Sequence, residues 1–434
     1  MRIVYVLLTY LLAPVVIGLE AWKALWNPEY RGRLHQRLGF VSPQRKPGCL
    51  WVHAVSVGEV QAAAGLIREL RRRLPDIEVV LTTVTPTGAQ RVAALFGAEV
   101  RHCYLPYDLP GSVHRFLDRI APSVAIILET EIWPTLYHQL GRRDIPLVMA
   151  SARVSTRSVD RYRRMATLFR ETLSHGIVIG AQSAADAERF RAIGAAPDRV
   201  RVTGNVKFDL EVPPAAVDAG REFRAGCAAG RPVWIAGSTH EGEEEAVLVA
   251  HGLVRARHPS ALLILVPRHP QRFDAVRSLL RKRGHSFAQR SSGEPPSVSQ
   301  DVFLVDTLGE LQMFYAAADV AFVGGSLVPI GGHNLLEPAA LGLPILSGPH
   351  TQNAQDIAEL LAQAGVVRIV RSREELAQRV SDYFDDPGQA RRDGARGLEV
   401  IAQSRGAVDR LVEMVLPLLS PKAKDASASA SSAS

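Results

Sequence analysis

Short apolar runs alternate with amphipathic stretches along most of the chain. In the first half, mainly apolar runs recur at intervals that leave room for a helix between them: residues 50–54, 79–83, 100–105, 124–128, 146–150, 177–181 and 200–203. Strands this uniformly apolar are typical of a parallel sheet that is covered by helices on both faces. The pattern therefore predicts an α/β domain over this half of the chain.

The same alternation starts again after a proline-containing linker near residues 211–216. Apolar runs at 233–236, 262–266, 320–323 and 345–346 predict a second parallel sheet. A chain of 434 residues is also too long for one ordinary core. We expect a membrane anchor over 1–22, one α/β domain over 23–210, a second over 211–400, a terminal helix over 401–420 and a disordered tail over 421–434.

The N-terminal segment is almost continuously apolar from residue 3 to residue 19. As a helix it would be about 26 Å long, slightly less than the hydrocarbon core of a bilayer. Basic residues follow it, which predicts that the body of the protein stays on the cytoplasmic side and contacts anionic lipid. A buried helix of a soluble protein and a cleaved signal peptide are the alternatives.

Composition narrows the classes of partner. The net charge of +7 favours anionic partners such as a phospholipid surface, a nucleotide or a phosphorylated sugar. Nucleic acid is not expected, because the basic residues do not alternate with aromatic residues that could stack on bases. The three cysteines are far apart, so we expect reduced thiols and neither a disulfide framework nor a zinc site.

The glycine-rich stretch 324–349 carries the densest group of polar candidates. It follows a predicted strand and leads into a helix predicted over 335–341. Asn334 and Glu337 could form a capping box at the start of this helix. Alternatively, the helix end could bind a phosphate while Glu337 accepts hydrogen bonds from ribose hydroxyls. The stretch alone does not decide between the two interpretations.

Carboxylates follow two predicted strands of the first domain. Glu59 lies in the first turn of a helix predicted over 59–74, where the helix dipole is expected to lower its pKa. It is either an ordinary helix-terminal residue or a base that removes a proton from an acceptor hydroxyl. Glu129 and Glu131 are a solvated loop pair, a partner for the nearby Arg153, or functional groups. No histidine or aspartate cluster accompanies them, so no metal is expected.

Three further positions have two interpretations each. Lys207 is either a surface lysine or a cation that neutralises a departing phosphate. Arg268 lies between two prolines after a predicted strand, and is either an exposed loop residue or a fixed contact to a phosphate or base. Thr307 and Glu310 have the spacing of a capping box, which gives them little functional weight by themselves.

Several motifs together resemble the 3-deoxy-D-manno-octulosonic acid (Kdo) transferases of lipopolysaccharide synthesis. They are HAVSVGE at 53–59, TVTPTG at 83–88, YLPYDLP at 104–110, ETEIWP at 129–134, NVKFD at 205–209, GSTHEGEE at 237–244, VPRHPQRF at 266–273, DTLGEL at 306–311 and GGSLVPIGGHN at 324–334. They occur in order over about 300 residues. The resemblance implies a GT-B-like α/β fold, with two Rossmann-like domains facing a central cleft, an acceptor on the first domain and a nucleotide sugar on the second.

The resemblance also implies roles for individual residues. The catalytic base of the family corresponds to Glu59, and its transition-state stabilisers correspond to Glu129 and Lys207. The contacts to CMP correspond to Pro267, Arg268, Leu308, Gly309, Glu310, Asn334, Leu335, Leu336 and Glu337. For the acceptor we select Ser56, Gly58, Arg31 and Arg33. Leu335 departs from the family, where proline is common; either residue is compatible with a helix start.

The activity implied is inverting transfer of Kdo from CMP-Kdo to the lipid A precursor, lipid IVA, a phosphorylated and acylated glucosamine disaccharide. The implied location is the cytoplasmic face of the inner membrane of a Gram-negative cell, with membrane lipid as a partner and no cofactor or metal. A nucleotide-sugar epimerase or hydrolase is one alternative, although it needs no lipid acceptor. A catalytically silent membrane scaffold that binds a sugar nucleotide is another.

Overall fold

Two compact units make up the chain in a computed structural model that describes residues 2–27, 30, 32–43, 47–154, 159, 172 and 176–419. Unit 1 comprises Met1–Asp209 and Ser404–Ser434, and unit 2 comprises Leu210–Gln403. The division after Asp209 lies one residue from the boundary expected from the sequence. The tail predicted over 421–434 lies outside the described residues.

Unit 1 is organised around seven parallel strands in the order β3-β2-β1-β4-β5-β6-β7. The strands are β1 Cys49–His53, β2 Val79–Thr83, β3 Arg101–Tyr104, β4 Pro122–Leu128, β5 Leu147–Ala152, β6 Ile177–Ala181 and β7 Val200–Val202. Successive side chains of a strand point to opposite faces. Trp51 accordingly packs into the core on one face, while Leu50 and Val52 pack into the core on the other.

Helices connect these strands and cover both faces of the sheet. Those described before unit 2 are α1 Arg2–Trp26, α2 Arg33–Arg37, α3 Val57–Arg73, α4 Pro86–Phe96, α5 Pro110–Ile120, α6 Pro134–Gly141 and α7 Ala184–Ala192. The chain moves outward from β1 to β3 on one side and from β4 to β7 on the other. The strand order therefore changes direction between β1 and β4, and ligands of such sheets bind at the carboxyl ends of the strands beside that point.

Unit 2 repeats this architecture with the order β10-β11-β9-β8-β12-β13-β14, again all parallel. Its strands are β8 Val233–Thr239, β9 Leu262–Pro267, β10 Phe287–Gln289, β11 Val302–Leu304, β12 Val320–Val323, β13 Ile345–Ser347 and β14 Val367–Ile369. Its helices are α8 Pro214–Cys227, α9 Glu243–Arg257, α10 Phe273–Lys282, α11 Leu311–Ala316, α12 Leu336–Ala340, α13 Gln355–Gln363, α14 Arg373–Asp385 and α15 Pro387–Ser404. Here the direction changes between β8 and β12.

The end of the chain differs from the expected single terminal helix over 401–420. Helix α15 continues through Ser404, and a separate helix, α16 Ala407–Leu419, belongs to unit 1. Leu411 and Val415 of α16 are fully buried in the core beside α3. Asp209 accepts the N–H groups of Gly406 and Val408, both at 2.6 Å, so its carboxylate caps the start of α16.

Helix α1 is longer than the apolar segment that predicted it. Its 25 residues extend about 37 Å, enough to cross the hydrocarbon core, and none of them is buried. By length and composition it is the one candidate membrane span in the described part of the chain. The alternative of a buried helix does not hold in this structure. Polar contacts join α1 to the body: the Tyr5 hydroxyl donates to Asp108 at 2.9 Å, and Glu20 lies 3.7 Å from Arg33.

Candidate functional site

Glu59 lies where the strand order of unit 1 changes direction. It is in the first turn of α3, directly after β1, and it is half-buried. One carboxylate oxygen accepts the N–H of Val55 at 2.8 Å, and the other accepts the hydroxyl of Ser56 at 3.1 Å. The loop between β1 and α3 therefore holds the carboxylate in a fixed orientation at the carboxyl end of the sheet.

The pKa of Glu59 is raised from 4.5 to about 7. Burial is the largest cause, and the nearby charges of Glu129 and Glu131 add to it, while the hydrogen bonds from Val55 and Ser56 oppose it. The expectation that the helix dipole would lower this pKa was wrong, because desolvation of the carboxylate outweighs the dipole. A carboxylate whose pKa lies near the working pH is well matched to general-base catalysis.

Glu129 and Lys207 form an ion pair near Glu59. Glu129 directly follows β4, the strand next to β1, and its φ of 56° is in the left-handed region that non-glycine residues rarely occupy. Lys207 Nζ donates to the Glu129 carboxylate at 2.5 Å. The side chain of Lys207 is 31% exposed and that of Glu129 is 34% exposed, so both remain accessible to a ligand. Strained backbone at a strand end is typical of a functional site.

A polar network that the sequence analysis did not identify holds Lys207 in place. The Asn205 side chain accepts the N–H of Lys207 at 3.0 Å and donates to Gln182 at 3.2 Å. Gln182 in turn donates to the Ser151 carbonyl at 2.9 Å, and Ser151 has a φ of 55°. Gln182 and Asn205 follow β6 and β7, and Ser151 is the second-last residue of β5. Their shared position at strand ends was the available signal.

The residues selected for the acceptor have different surroundings. Ser56 and Gly58 belong to the loop and first turn that carry Glu59, and the space above the exposed Gly58 is open. Arg33 is buried, with its guanidinium between the rings of Tyr30 and Tyr104 at 4.5 and 4.7 Å. Arg31 lies outside the described residues.

In unit 2 a buried carboxylate accepts hydrogen bonds from the backbone N–H groups that follow β12. Glu243, which is fully buried, accepts the N–H groups of Gly325, Ser326 and Leu327 at 2.6, 2.9 and 2.8 Å. The N–H of His240 also donates to Glu243, at 3.0 Å. Four backbone donors around one carboxylate resemble an anion-binding nest whose anion belongs to the protein itself. Glu243 lies in the motif GSTHEGEE but was not among the predicted site residues. It fixes the start of the glycine-rich stretch.

The polar contacts at α12 are those of a cap. Asn334 accepts the N–H of Leu336 at 3.1 Å and donates to the Glu337 carboxylate at 3.1 Å. The helix runs from Leu336 to Ala340, shorter than the predicted 335–341, and Leu335 precedes it. Asn334 thus accepts an N–H of the first helical turn, as expected of a cap, although the residue at the N-cap position is Leu335. The ribose role of Glu337 stays a prediction.

The remaining nucleotide candidates lie after β9 and β11. Pro267 is the last, buried residue of β9, and the exposed Arg268 follows it. Leu308 is exposed, and Gly309 has a φ of 88°. The Glu310 carboxylate accepts from Thr307 and from Arg290, whose Nη2 is 2.7 Å away, and these contacts lower the pKa of Glu310. The two side chains are thus in contact, but the predicted capping box with Thr307 as N-cap was wrong, because the helix begins at Leu311 and Glu310 is its N-cap residue.

Three histidines that the sequence analysis left unassigned meet in unit 2 at the change of strand direction. His240 and His333 are stacked, with their Nε2 atoms 2.7 Å apart, and the ring of His269 lies edge-on to His240. Burial is the main cause that lowers the pKa of both stacked rings, to about 3 for His333. A side chain on Gly325 would lie 2.9 Å from His333, so only glycine fits there. The motifs that carry these histidines are thus brought together.

The two Rossmann-like units define a GT-B-like α/β fold. A solved UDP-GlcNAc 2-epimerase from Neisseria meningitidis, bound to UDP-GlcNAc, has the same fold: TM-score 0.56 at 16% identity, covering 85% of this chain and all of that one. A family model described as 3-deoxy-D-manno-octulosonic-acid transferase (kdotransferase) matches residues 32–210.

Full-length relatives establish the family. The chain is 39% identical to the 3-deoxy-D-manno-octulosonic acid transferase of Haemophilus influenzae over 96% of its length and 99% of the relative. It is 40% identical to the Bordetella pertussis enzyme of the same name over 76% and 78% of the two chains. The protein belongs to the 3-deoxy-D-manno-octulosonic acid transferase family, as the motif resemblance predicted.

Proposed function

We propose that this Kdo transferase uses CMP-Kdo as the donor and the lipid A precursor, lipid IVA, as the acceptor, with inversion at the transferred carbon. One observation carries the proposal. Glu59 combines a fixed orientation with a pKa raised to about 7, at the point of unit 1 where ligands of such sheets bind. At neutral pH a substantial fraction of this carboxylate is ionised and can accept a proton.

In the proposed reaction, Glu59 removes the proton from an acceptor hydroxyl as that oxygen attacks the anomeric carbon of Kdo. The bond from this carbon to the CMP phosphate breaks with oxocarbenium character, and CMP leaves from the opposite face, which inverts the configuration. Lys207 compensates the negative charge of the departing phosphate. Glu129 keeps the ammonium group of Lys207 in place through their ion pair. This scheme requires neither a metal nor a cofactor.

For the nucleotide, we propose contacts from Pro267 and Arg268, from residues 308–310 and from residues 334–337. What supports this is their position in unit 2: they follow β9, β11 and β12, at the carboxyl ends of the parallel strands. Arg268 is exposed and follows a rigid, buried strand end, so its guanidinium can pair with a phosphate.

We further propose that α1 anchors the protein in the inner membrane, with the body on the cytoplasmic face. The unburied apolar surface of α1 supports this location. Deleting residues 2–26 is expected to move the protein from the membrane fraction to the soluble fraction. If the shortened protein still sediments with membranes after a salt wash, α1 is not the anchor.

The reaction itself is tested by incubating the full-length protein with CMP-Kdo and lipid IVA and analysing the products by mass spectrometry. The proposal predicts a Kdo-extended lipid and free CMP. Free Kdo without an extended lipid would indicate a hydrolase, and no turnover would indicate a binding scaffold; either result contradicts the proposal. A parallel incubation without lipid measures the background breakdown of CMP-Kdo.

A further inference from the structure

Two buried arginines of unit 1 lack the acceptors that a buried guanidinium normally has. Arg33 and Arg37 are 4% and 8% exposed and lie four residues apart on α2, so they share one helix face. The Nε and Nη1 atoms of both residues have no hydrogen-bond partner among the described residues. Because buried polar groups are nearly always paired, this group of unpaired donors indicates a missing ligand.

Aromatic rings fix the orientation of these guanidinium groups. Arg33 lies between Tyr30 and Tyr104, and Arg37 lies 4.4 Å from the ring centre of Tyr107. Stacking on a ring uses the face of a guanidinium and leaves the N–H groups on its edge available. Arg33 Nη2 donates to the Val84 carbonyl, which anchors that side chain further. The aromatic contacts and this hydrogen bond therefore hold the unpaired, buried edges of the two guanidinium groups in fixed orientations.

The charge balance indicates an anion. Like charges four residues apart on a helix repel each other. Among the described residues, the carboxylate that pairs with them is Glu20, 3.7 Å from Arg33 Nη1, so within this part of the chain two guanidinium groups share one carboxylate. Burial, opposed by Tyr107 and reinforced by the charge of Arg33, lowers the pKa of Arg37. A bound phosphate would supply both the missing charge and the missing acceptors, and the fork of an arginine matches its oxygens.

The arginine pair lies between the base loop and the membrane helix. The carbonyl of Val84 accepts a hydrogen bond from Arg33, and the N–H of Val84 donates to the carbonyl of Val55 at 3.2 Å. The N–H of Val55 in turn donates to the Glu59 carboxylate at 2.8 Å. On the other side, Glu20 belongs to α1 and directly follows its apolar segment. A lipid whose chains lie along α1 would thus present its polar head to the arginines and then to Glu59.

We propose that Arg33 and Arg37 bind a phosphate group of the lipid acceptor and thereby position its hydroxyl at Glu59. The inference rests on the proposed function. It goes beyond the initial selection of Arg33, because it adds Arg37 and specifies which chemical group of the acceptor the pair binds. Both arginines are positioning residues, since neither contacts the reacting atoms.

The first test compares Arg37→Gln with Arg142→Gln, an exposed arginine at the end of α6. Loss of one charge-assisted contact is expected to raise the acceptor KM about 10- to 100-fold. The kcat and the KM for CMP-Kdo should change little, and Arg142→Gln should behave as wild type. An acceptor without its phosphates should show the raised KM with the wild-type protein and no further increase with the variant. An unchanged acceptor KM in Arg37→Gln overturns the proposal.

A stability measurement separates ligand binding from a structural role. Removing a buried, unpaired charge is not expected to destabilise the protein, so Arg37→Leu should unfold at the same temperature as wild type or higher. Pyrophosphate, used as a probe, should raise the melting temperature of wild type and not of Arg37→Leu. A large loss of stability in Arg37→Leu without ligand would show that Arg37 is structural, which contradicts the proposal.

A third arm distinguishes the acceptor from bulk phospholipid. Vesicles of anionic phospholipid should leave the acceptor KM of wild type unchanged. If they raise it to the value of Arg37→Gln, the pair binds phospholipid headgroups and the assignment to the acceptor is wrong. Failure of wild type to transfer Kdo would contradict the proposed function itself, whereas transfer with an unaffected variant would contradict only this inference.

Discussion

The carboxylates of the two units are stabilised to very different degrees. In unit 2, Glu243 accepts three backbone N–H groups of one loop and Glu310 is paired with Arg290. In unit 1, Glu59 is desolvated until its pKa reaches about 7, and Glu129 lies in a left-handed backbone conformation. A group whose charge is fully compensated is a poor base. The difference between Glu59 and Glu243 supports the proposed proton transfer at Glu59 in unit 1 and the proposed nucleotide binding in unit 2.

The largest effect is expected when Glu59 is replaced, which tests whether the base lies in unit 1. Glu59→Gln is expected to lower kcat about 10²- to 10⁴-fold, because the base is lost while the shape of the side chain is kept. Binding of CMP, measured by calorimetry, should not change. Glu188→Gln, an exposed glutamate of α7, is the matched control and should retain full activity. Near wild-type turnover by Glu59→Gln would refute the assignment of the base.

The ion pair beside the base is expected to have the next largest effect. Lys207→Gln should reduce kcat about 10²- to 10³-fold, comparable to the loss of one electrostatic contact to a transition state. Because Glu129 acts through Lys207, adding Glu129→Gln to that variant should cause little further loss. A double variant whose effects multiply would show that the two residues act independently.

In unit 2 the corresponding change should affect stability rather than the rate of chemistry. Glu243→Gln weakens hydrogen bonds from four backbone N–H groups and is expected to cost about 2–3 kcal/mol of unfolding free energy. Chemical unfolding monitored by fluorescence measures this loss. Glu241→Gln, whose side chain is 86% exposed, serves as the control and should unfold like wild type. If Glu243→Gln unfolds with the same free energy as wild type, Glu243 does not stabilise unit 2 as proposed.

The smallest effect is expected at Glu337. Its carboxylate accepts from Asn334 in the structure, so any contact to the ribose uses its remaining acceptor capacity. Glu337→Ala should weaken CMP binding about 5- to 10-fold, as expected for one hydrogen bond. Calorimetric titration with CMP decides the matter, and an unchanged affinity would mean that Glu337 only supports the cap.

Much of the architecture follows from hydrophobic periodicity alone. The apolar runs predicted both sheets because strands buried on two faces have no polar alternation, and helix α3 was predicted to within two residues at each end. The return of α16 to unit 1 was not predicted. Its apolar face is visible in the sequence, but the partner of that face is determined by contacts more than 300 residues apart, such as those between α16 and α3.

The site was only partly visible for a related reason. Glu59 follows a strand and was selected, yet the sign of its pKa shift was wrong, because burial and neighbouring carboxylates depend on the tertiary structure. Glu243 and the stacked histidines lie in motifs that were quoted, but their contacts connect separate motifs across unit 2. Arg33 looked like one member of a basic surface cluster, whereas its side chain is buried.

The pH dependence of kcat/KM tests the central claim most directly, since it reports the ionisation of the free enzyme. The folded pKa of Glu59 is raised, so the active, ionised base is lost as the pH falls below about 7. The account predicts a tenfold loss per pH unit below a bend near pH 7 in wild type. The bend should persist in Glu188→Gln and be absent from the residual activity of Glu59→Gln. A wild-type profile that is flat between pH 5.5 and 8, or a bend that survives in Glu59→Gln, would contradict it.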